Sequence, residues 1–204
     1  LPIYLSRRAG RKKPLKPPPP ELAEQELEAT RAIGADIMTV RDLDYPPLLQ
    51  ALSPPPPVLS MRGQFALAAR PALAIVGARN ASAAGRKLAR EIAAGIGAAG
   101  HVVVSGLARG IDGEAHAASL ATGTVAVLGG GIDHVYPPQH AELYEAIARQ
   151  GLIVSESPLG HQATARDFPR RNRIITGCAL GLVVIEASER SGSLISARTA
   201  GEQG

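Results

Sequence analysis

Leu73-Ala-Ile-Val-Gly-Ala-Arg-Asn80 is the stretch that decides the fold. Four apolar residues run straight into Gly77, and a helix-forming segment follows from Ser82 to Ala99. The same unit then recurs. Val102–Val104 precedes Ile111–Leu120, Val125–Leu128 precedes Gln139–Arg149, Leu152–Val154 precedes Arg170–Ala179, and Leu182–Ile185 precedes Ser193–Ala200. Short, continuous apolar runs alternating with helical stretches predict an α/β protein: a mainly parallel sheet with helices on both faces. In such sheets a ligand lies beyond the carboxyl ends of the strands.

Those ends carry the unusual residues. They are Gly77-Ala-Arg-Asn80, Ser105-Gly-Leu-Ala-Arg-Gly-Ile-Asp112, Gly129-Gly-Gly-Ile-Asp-His-Val-Tyr-Pro137, Ser155-Glu-Ser-Pro158, and Glu186 with Ser191-Gly-Ser193. Glycine lets a backbone turn sharply and approach a phosphate, and the helix that follows offers unpaired N–H groups. Phe168-Pro-Arg-Arg-Asn-Arg-Ile-Ile175 adds the densest basic run of the body, at a predicted helix start where Pro169 suits the first turn. Guanidinium forks and N–H groups on one side of such a turn suit a polyanion, and Ile174 and Ile175 anchor it to a core.

Outward from this region the composition shifts. Residues 1–20 hold Arg7, Arg8, Arg11, Lys12, Lys13 and Lys16, no acid, and end in four prolines, which predicts a basic, extended linker. Without those six, the formal net charge of +4 becomes −2, so affinity for nucleic acid in the body must come from a local patch. Residues 21–71 are expected to form a small helical and connecting segment: a helix over Glu21–Ile33, a short strand over Asp36–Val40, a turn and short helix from Asp44, and packing material in Val58–Gly63. Residues 72–204 are expected to form the α/β domain. No apolar run is long enough to cross a membrane. The single cysteine, Cys178, rules out an internal disulfide, which suits a cytoplasmic protein, and its apolar neighbours mark it as a core residue rather than a nucleophile.

Enzyme signatures are missing. There is no Gly-x-x-x-x-Gly-Lys-Ser/Thr, and Gly106, Gly110 and Gly113 have the wrong spacing for a dinucleotide fingerprint. No histidine or acid cluster has metal-ligand spacing, and no catalytic residue, metal or cofactor is expected. His116, four residues after Asp112, is expected to bond to it and hold the loop; the other histidines are isolated. Phe168 alone lies beside the arginines, either plugging the core or stacking on a base, and no aromatic platform for a run of bases is expected.

The ordered set Asp44-Tyr-Pro-Pro-Leu-Leu49, Ile75-Val-Gly-Ala-Arg79, Ser105–Asp112 with His116, Val127–Asp133 with Tyr136-Pro137, Ser155-Glu156, Phe168–Ile175 and Ser191–Ile195 closely resembles the DNA-processing protein A (DprA/Smf) family. The resemblance spans about residues 44 to 203. It implies an extended Rossmann-like domain that binds single-stranded DNA without cutting it, protects incoming DNA in natural transformation, helps load the recombinase RecA and forms a homodimer. Its implied DNA-binding residues are Gly77, Arg79, Ser105, Gly106, Arg109, Gly110, Phe168, Arg170, Arg171, Asn172 and Arg173. Ala78 departs from the serine common in the family's first turn, removing a hydroxyl donor. The family continues beyond Gly204 with a further strand and often a winged helix, and residues 1–20 resemble the tail of an upstream helical domain. The alternative reading is a Rossmann-like hydrolase or transferase acting on a nucleotide or sugar phosphate; its Pro-Gly-Gly-x-Gly-Thr-x-x-Glu segment does not occur.

Overall fold

The computed structural model describes residues 18–187 and 192–203. The expected linker over residues 1–20 therefore falls outside the described residues except for its last three prolines, and so does Ser191.

Helix α1 (Pro20–Ala32) begins on two prolines, whose fixed φ suits a first turn and whose missing N–H would be unpaired there anyway. Strand β1 (Asp36–Thr39), the short helix α2 (Pro47–Gln50) and strand β2 (Val58–Gly63) follow. Val58–Gly63, expected as packing material, is thus a full strand. Its inward residues Leu59 and Met61 are completely buried.

From Ala72 the predicted alternation is present: β3 (Ala72–Gly77), α3 (Ala83–Ala98), β4 (Val102–Ser105), α4 (Ile111–Ser119), β5 (Thr124–Gly131), α5 (Ala141–Gln150), β6 (Leu152–Ser157), α6 (Asp167–Gly177), β7 (Leu182–Ile185) and α7 (Gly192–Gln203). The strands form one seven-stranded sheet in the order β1-β2-β6-β5-β4-β3-β7. The pairs from β6 through β7 are parallel, and β1 and β2 extend the sheet antiparallel beyond β6.

Side chains alternate across a strand, and here the alternation sorts them into two layers. Ala74, Val76, Val102, Val104, Val125, Val127, Leu152 and Val154 pack on one face with Leu49 of α2 and Ile174 and Ile175 of α6. On the other face Ile75 and Val103 meet Ala89 and Ala93 of α3 and Ala115 of α4, while Ala126 and Ile153 meet Tyr144 and Ile147 of α5. Both faces are covered, which is why these strands read as unbroken apolar runs.

Chain order sets the position of the site. Strands β3 to β6 step away in one direction, and β7 returns to the opposite side of β3. The carboxyl ends of β3 and β7 therefore flank the point where strand order reverses, the place where open α/β sheets hold their ligands.

Candidate nucleic-acid interface

A crevice of about 620 Å³ opens at this reversal point, lined by Gly77 and Arg79 after β3, Asp112 of α4, Phe168 and Arg171 of α6, and Glu186 after β7. A smaller hollow beside it shares Arg79, Phe168 and Arg171 and adds Gly106, Arg109 and Tyr136.

The wall between the two is built from the loop Ser105–Gly110. Ser105 is buried and donates its hydroxyl to the Ile75 carbonyl at 2.6 Å, tying β4 to β3. Leu107, fully buried, takes a left-handed φ of 57°, a conformation unfavourable for a branched side chain, and drives the loop over the sheet edge. At Gly110 (φ 76°) a Cβ would strike the Ala78 carbonyl, so only glycine lets this loop lie against the β3 turn. Asp112 closes the loop by accepting from the N–H of Gly106 at 3.1 Å and of Ala108 at 3.3 Å.

The expected Asp112–His116 bond is replaced. Asp112 sits at the start of α4 and turns back to the loop, whereas His116, one turn later, faces the sheet with Nδ1 2.7 Å from Thr124 Oγ1. Burial, helped by nearby His140 and then by the positive charge of Arg171, pulls the His116 pKa down to about 3, so the ring is neutral and structural.

The arginines of α6 part company because successive helical residues point about 100° apart. Arg171 is buried beneath the loop. Its Nη1 donates to the carbonyl of Gly106 at 2.7 Å and to that of Val127, so one guanidinium joins β4 to β5. A Cβ on Gly106 would lie 2.6 Å from this guanidinium, so the loop needs glycine there too. Burial lowers the Arg171 pKa to about 10, opposed by Asp112, and burial pushes the Asp112 carboxyl up against the pull of Arg171. The guanidinium stays charged at neutral pH. Its Nε–H is buried and has no hydrogen-bond partner among the described residues. Asn172 is buried, lines the same crevice and donates to the Gly192 carbonyl at 3.3 Å.

Arg170 and Arg173, one turn apart, both pair with Glu156 at the end of β6: Arg170 Nε at 3.3 Å, Arg173 through Nη2. Arg173 also reaches the Pro54 carbonyl at 3.4 Å. Neither lines the crevice or the smaller hollow. Of the candidate residues, the fold thus gathers Gly77, Arg79, Gly106, Arg109, Phe168, Arg171 and Asn172. Ser105 and Gly110 support them from below.

Arg79 and Arg109 are the exposed cations of the rim. The Arg79 guanidinium lies 4.9 Å from the centre of the Phe168 ring, a cation–π distance. Helix α6 starts at Asp167, three residues before the expected start, so Phe168 is helical despite preceding proline. Asp167 fixes that start by accepting from Thr164 N at 2.7 Å and Thr164 Oγ1 at 2.8 Å.

Two features lay outside the sequence reading. Tyr136 lies 5.7 Å from Phe168 and lines the smaller hollow, so Phe168 is not the only ring beside the arginines. Its distance in sequence hid it; the Tyr136-Pro137 pair at a strand end was the available signal. Glu186, also with a left-handed φ of 54°, accepts from Ser82 N at 2.8 Å and from Ser82 Oγ at the start of α3. These bonds hold its carboxyl below its ordinary pKa. The helix end where a Rossmann crevice commonly takes a phosphate is thus filled by the chain's own carboxylate.

Cys178 is half-buried and burial pushes its thiol up to about 12, as expected of a core residue. Among the described residues no cluster of histidine, cysteine and acids could hold a metal, and no helix is long and apolar enough to cross a membrane.

The family model for DNA recombination-mediator protein A matches residues 36–204. The chain is 41% identical over 184 residues to the Smf protein of Synechocystis, and 39% identical over 181 residues to the DNA processing protein DprA of Bacillus subtilis. Each match covers 87% of this chain, but 46% and 61% of those relatives, so the chain spans about half their length. Among solved structures, DNA processing protein A of Streptococcus pneumoniae superposes with a TM-score of 0.79 at 37% identity, covering 87% of this chain and 64% of that one. DNA processing protein A of Helicobacter pylori, described for its single-stranded DNA binding mode, superposes with a TM-score of 0.76 at 28% identity, covering 82% and 77%.

Proposed function

The chain belongs to the DNA recombination-mediator protein A family, and from that premise we propose that it is a module that binds single-stranded DNA through its phosphates at the β3–β7 crevice. The observation that carries this reading is the rim: Arg79 and Arg109 are exposed at the strand ends, with Arg79 held against the Phe168 ring. Phosphate contacts of this kind position a strand without reading its sequence. Gly77, Gly106 and Gly110 let the loops pack closely against Ile185, Arg171 and Ala78, and Arg171 and Asn172 fix the floor.

Glu186 weighs against the hydrolase or transferase alternative. A mononucleotide in this crevice would bring its phosphate to the start of α3, where a carboxylate already accepts the available donors. In the cell we place the module in the cytoplasm, as a non-catalytic homodimer that protects incoming strands in transformation and helps load RecA. Family membership supports these roles.

Fluorescence anisotropy with a labelled oligonucleotide tests the reading. A single strand is expected to bind far better than any mononucleotide, and unlabelled mononucleotide to compete only weakly. Equal competition by a mononucleotide would return the enzyme alternative.

A further inference from the structure

Phe168 and Tyr136 form a pair whose members are not equivalent. The Phe168 ring is already in use: Arg79 lies over it at 4.9 Å, Arg171 approaches within 5.9 Å, and Gly129 lies against its edge. Tyr136 packs against it at 5.7 Å with the rings tilted by 42°, yet remains 46% exposed. No described partner receives the Tyr136 hydroxyl, and the ring borders the hollow that also holds Arg79 and Arg109.

We propose that Tyr136 is a nucleobase-stacking subsite for the strand whose phosphates are taken by Arg79 and Arg109. The inference rests on the single-strand reading above and assigns the strand a direction of approach. Phosphates face the arginine rim, and one base turns toward the Tyr136 side of the hollow rather than into the Glu186 side of the crevice. The chemistry fits. A base offers a π-face to an exposed ring whatever its identity, and guanidiniums next to it hold the backbone. The carboxylate at the start of α3 repels phosphate from the other flank. Phe168 touches both Arg79 and Tyr136, so the phosphate and base subsites are set by the same side chain. The result is a single stacking position and therefore little discrimination between base sequences.

The test uses the whole chain with three probes: an oligodeoxythymidine, the same strand with abasic sites throughout, and a strand carrying one fluorescent 2-aminopurine. Wild-type protein is expected to bind the thymidine strand more tightly than the abasic strand and to quench the 2-aminopurine. Tyr136→Leu is expected to weaken binding of the thymidine strand roughly five- to 150-fold, the range for loss of one stacked base. Its salt dependence should match wild type, and its affinity for the abasic strand should be unchanged. Tyr136→Trp should restore stacking and quenching. Circular dichroism confirms that both variants are folded. If wild type binds abasic and thymidine strands equally, or if Tyr136→Leu loses nothing on the thymidine strand, the subsite is overturned while phosphate binding stands. If wild type binds none of the strands, the single-strand reading fails and takes this proposal with it.

Discussion

Arg171 and Arg79 line one crevice and share contact with one phenylalanine ring, but they are placed for opposite work. Arg171 is inside. Its guanidinium satisfies the carbonyls of Gly106 and Val127 and balances buried Asp112, so it holds the ends of β4 and β5 in register. Arg79 is outside, on the turn that follows β3, with its charge toward solvent and a ring behind it. The same residue type serves the fold in one place and is free for a ligand in the other. The difference comes from burial: a desolvated cation is costly unless it is fully bonded, whereas an exposed one can exchange water for phosphate.

The largest expected effect tests the inner half of this contrast. Replacing Arg171 by Met leaves two carbonyls and a buried carboxylate without their cation and should destabilise the protein by about 3–5 kcal/mol, read from urea unfolding. Arg79→Met should stay within about 0.5 kcal/mol of wild type, as surface changes usually do. Equal stability of the two variants would break the comparison.

Next in size is the outer half. Arg79→Ala should weaken single-strand binding by about 1.5–3 kcal/mol, the range for a charge-assisted hydrogen bond. It should do so alike for all sequences, and lower the slope of log affinity against log salt by about 0.7. An unchanged slope would remove Arg79 from the phosphate contacts.

The contrast also shows what could be read from sequence. The sheet was legible because buried parallel strands are apolar on both faces, and β3 to β7 announce themselves as such runs. Strand β2 was not, since Val58-Leu-Ser-Met-Arg-Gly63 has a polar face and directly follows four prolines; pairing with β1 and β6 makes it a strand. The loops that meet at the site were legible as glycine and arginine at strand ends. The separate destinations of Arg170, Arg171, Asn172 and Arg173 were not, because they depend on how α6 is rotated against the sheet. Tyr136 came to Phe168 through the path of the segment between β5 and α5; Tyr136-Pro137 marks the strand end but not what the ring meets.

Glu156 sharpens the comparison at a third place. It is nearly buried at 11% exposure and holds both Arg170 and Arg173. Glu156→Gln removes the negative charge they share. If these arginines flank the path of the strand, affinity should rise by a few-fold, about 1 kcal/mol, and the salt slope should steepen. An unchanged slope together with a loss of stability would assign both arginines to the fold, alongside Arg171.

The smallest expected effect concerns the start of α6, which sets where Phe168 stands between the inner and outer arginines. Asp167 accepts from Thr164 N, from Thr164 Oγ1 and, at 3.0 Å, shares a contact with His161 Nε2. These donors, led by the Thr164 N–H, hold its pKa down to about 2. A carboxyl whose pKa is lower in the folded chain binds protons more readily when unfolded, so it stabilises the fold above its ordinary pKa. That contribution is complete above about pH 4 and is lost as pH falls through about 2. The group is close to solvent, so the gain should be under about 1 kcal/mol. Other carboxylates titrate in the same window, and the informative quantity is therefore a difference. The gap in urea midpoint between wild type and Asp167→Asn should close as pH drops from 4 to 2. A gap that is constant with pH would mean that the Thr164 contacts do not depend on the charge of Asp167, and that packing of Phe168 alone fixes the start of α6.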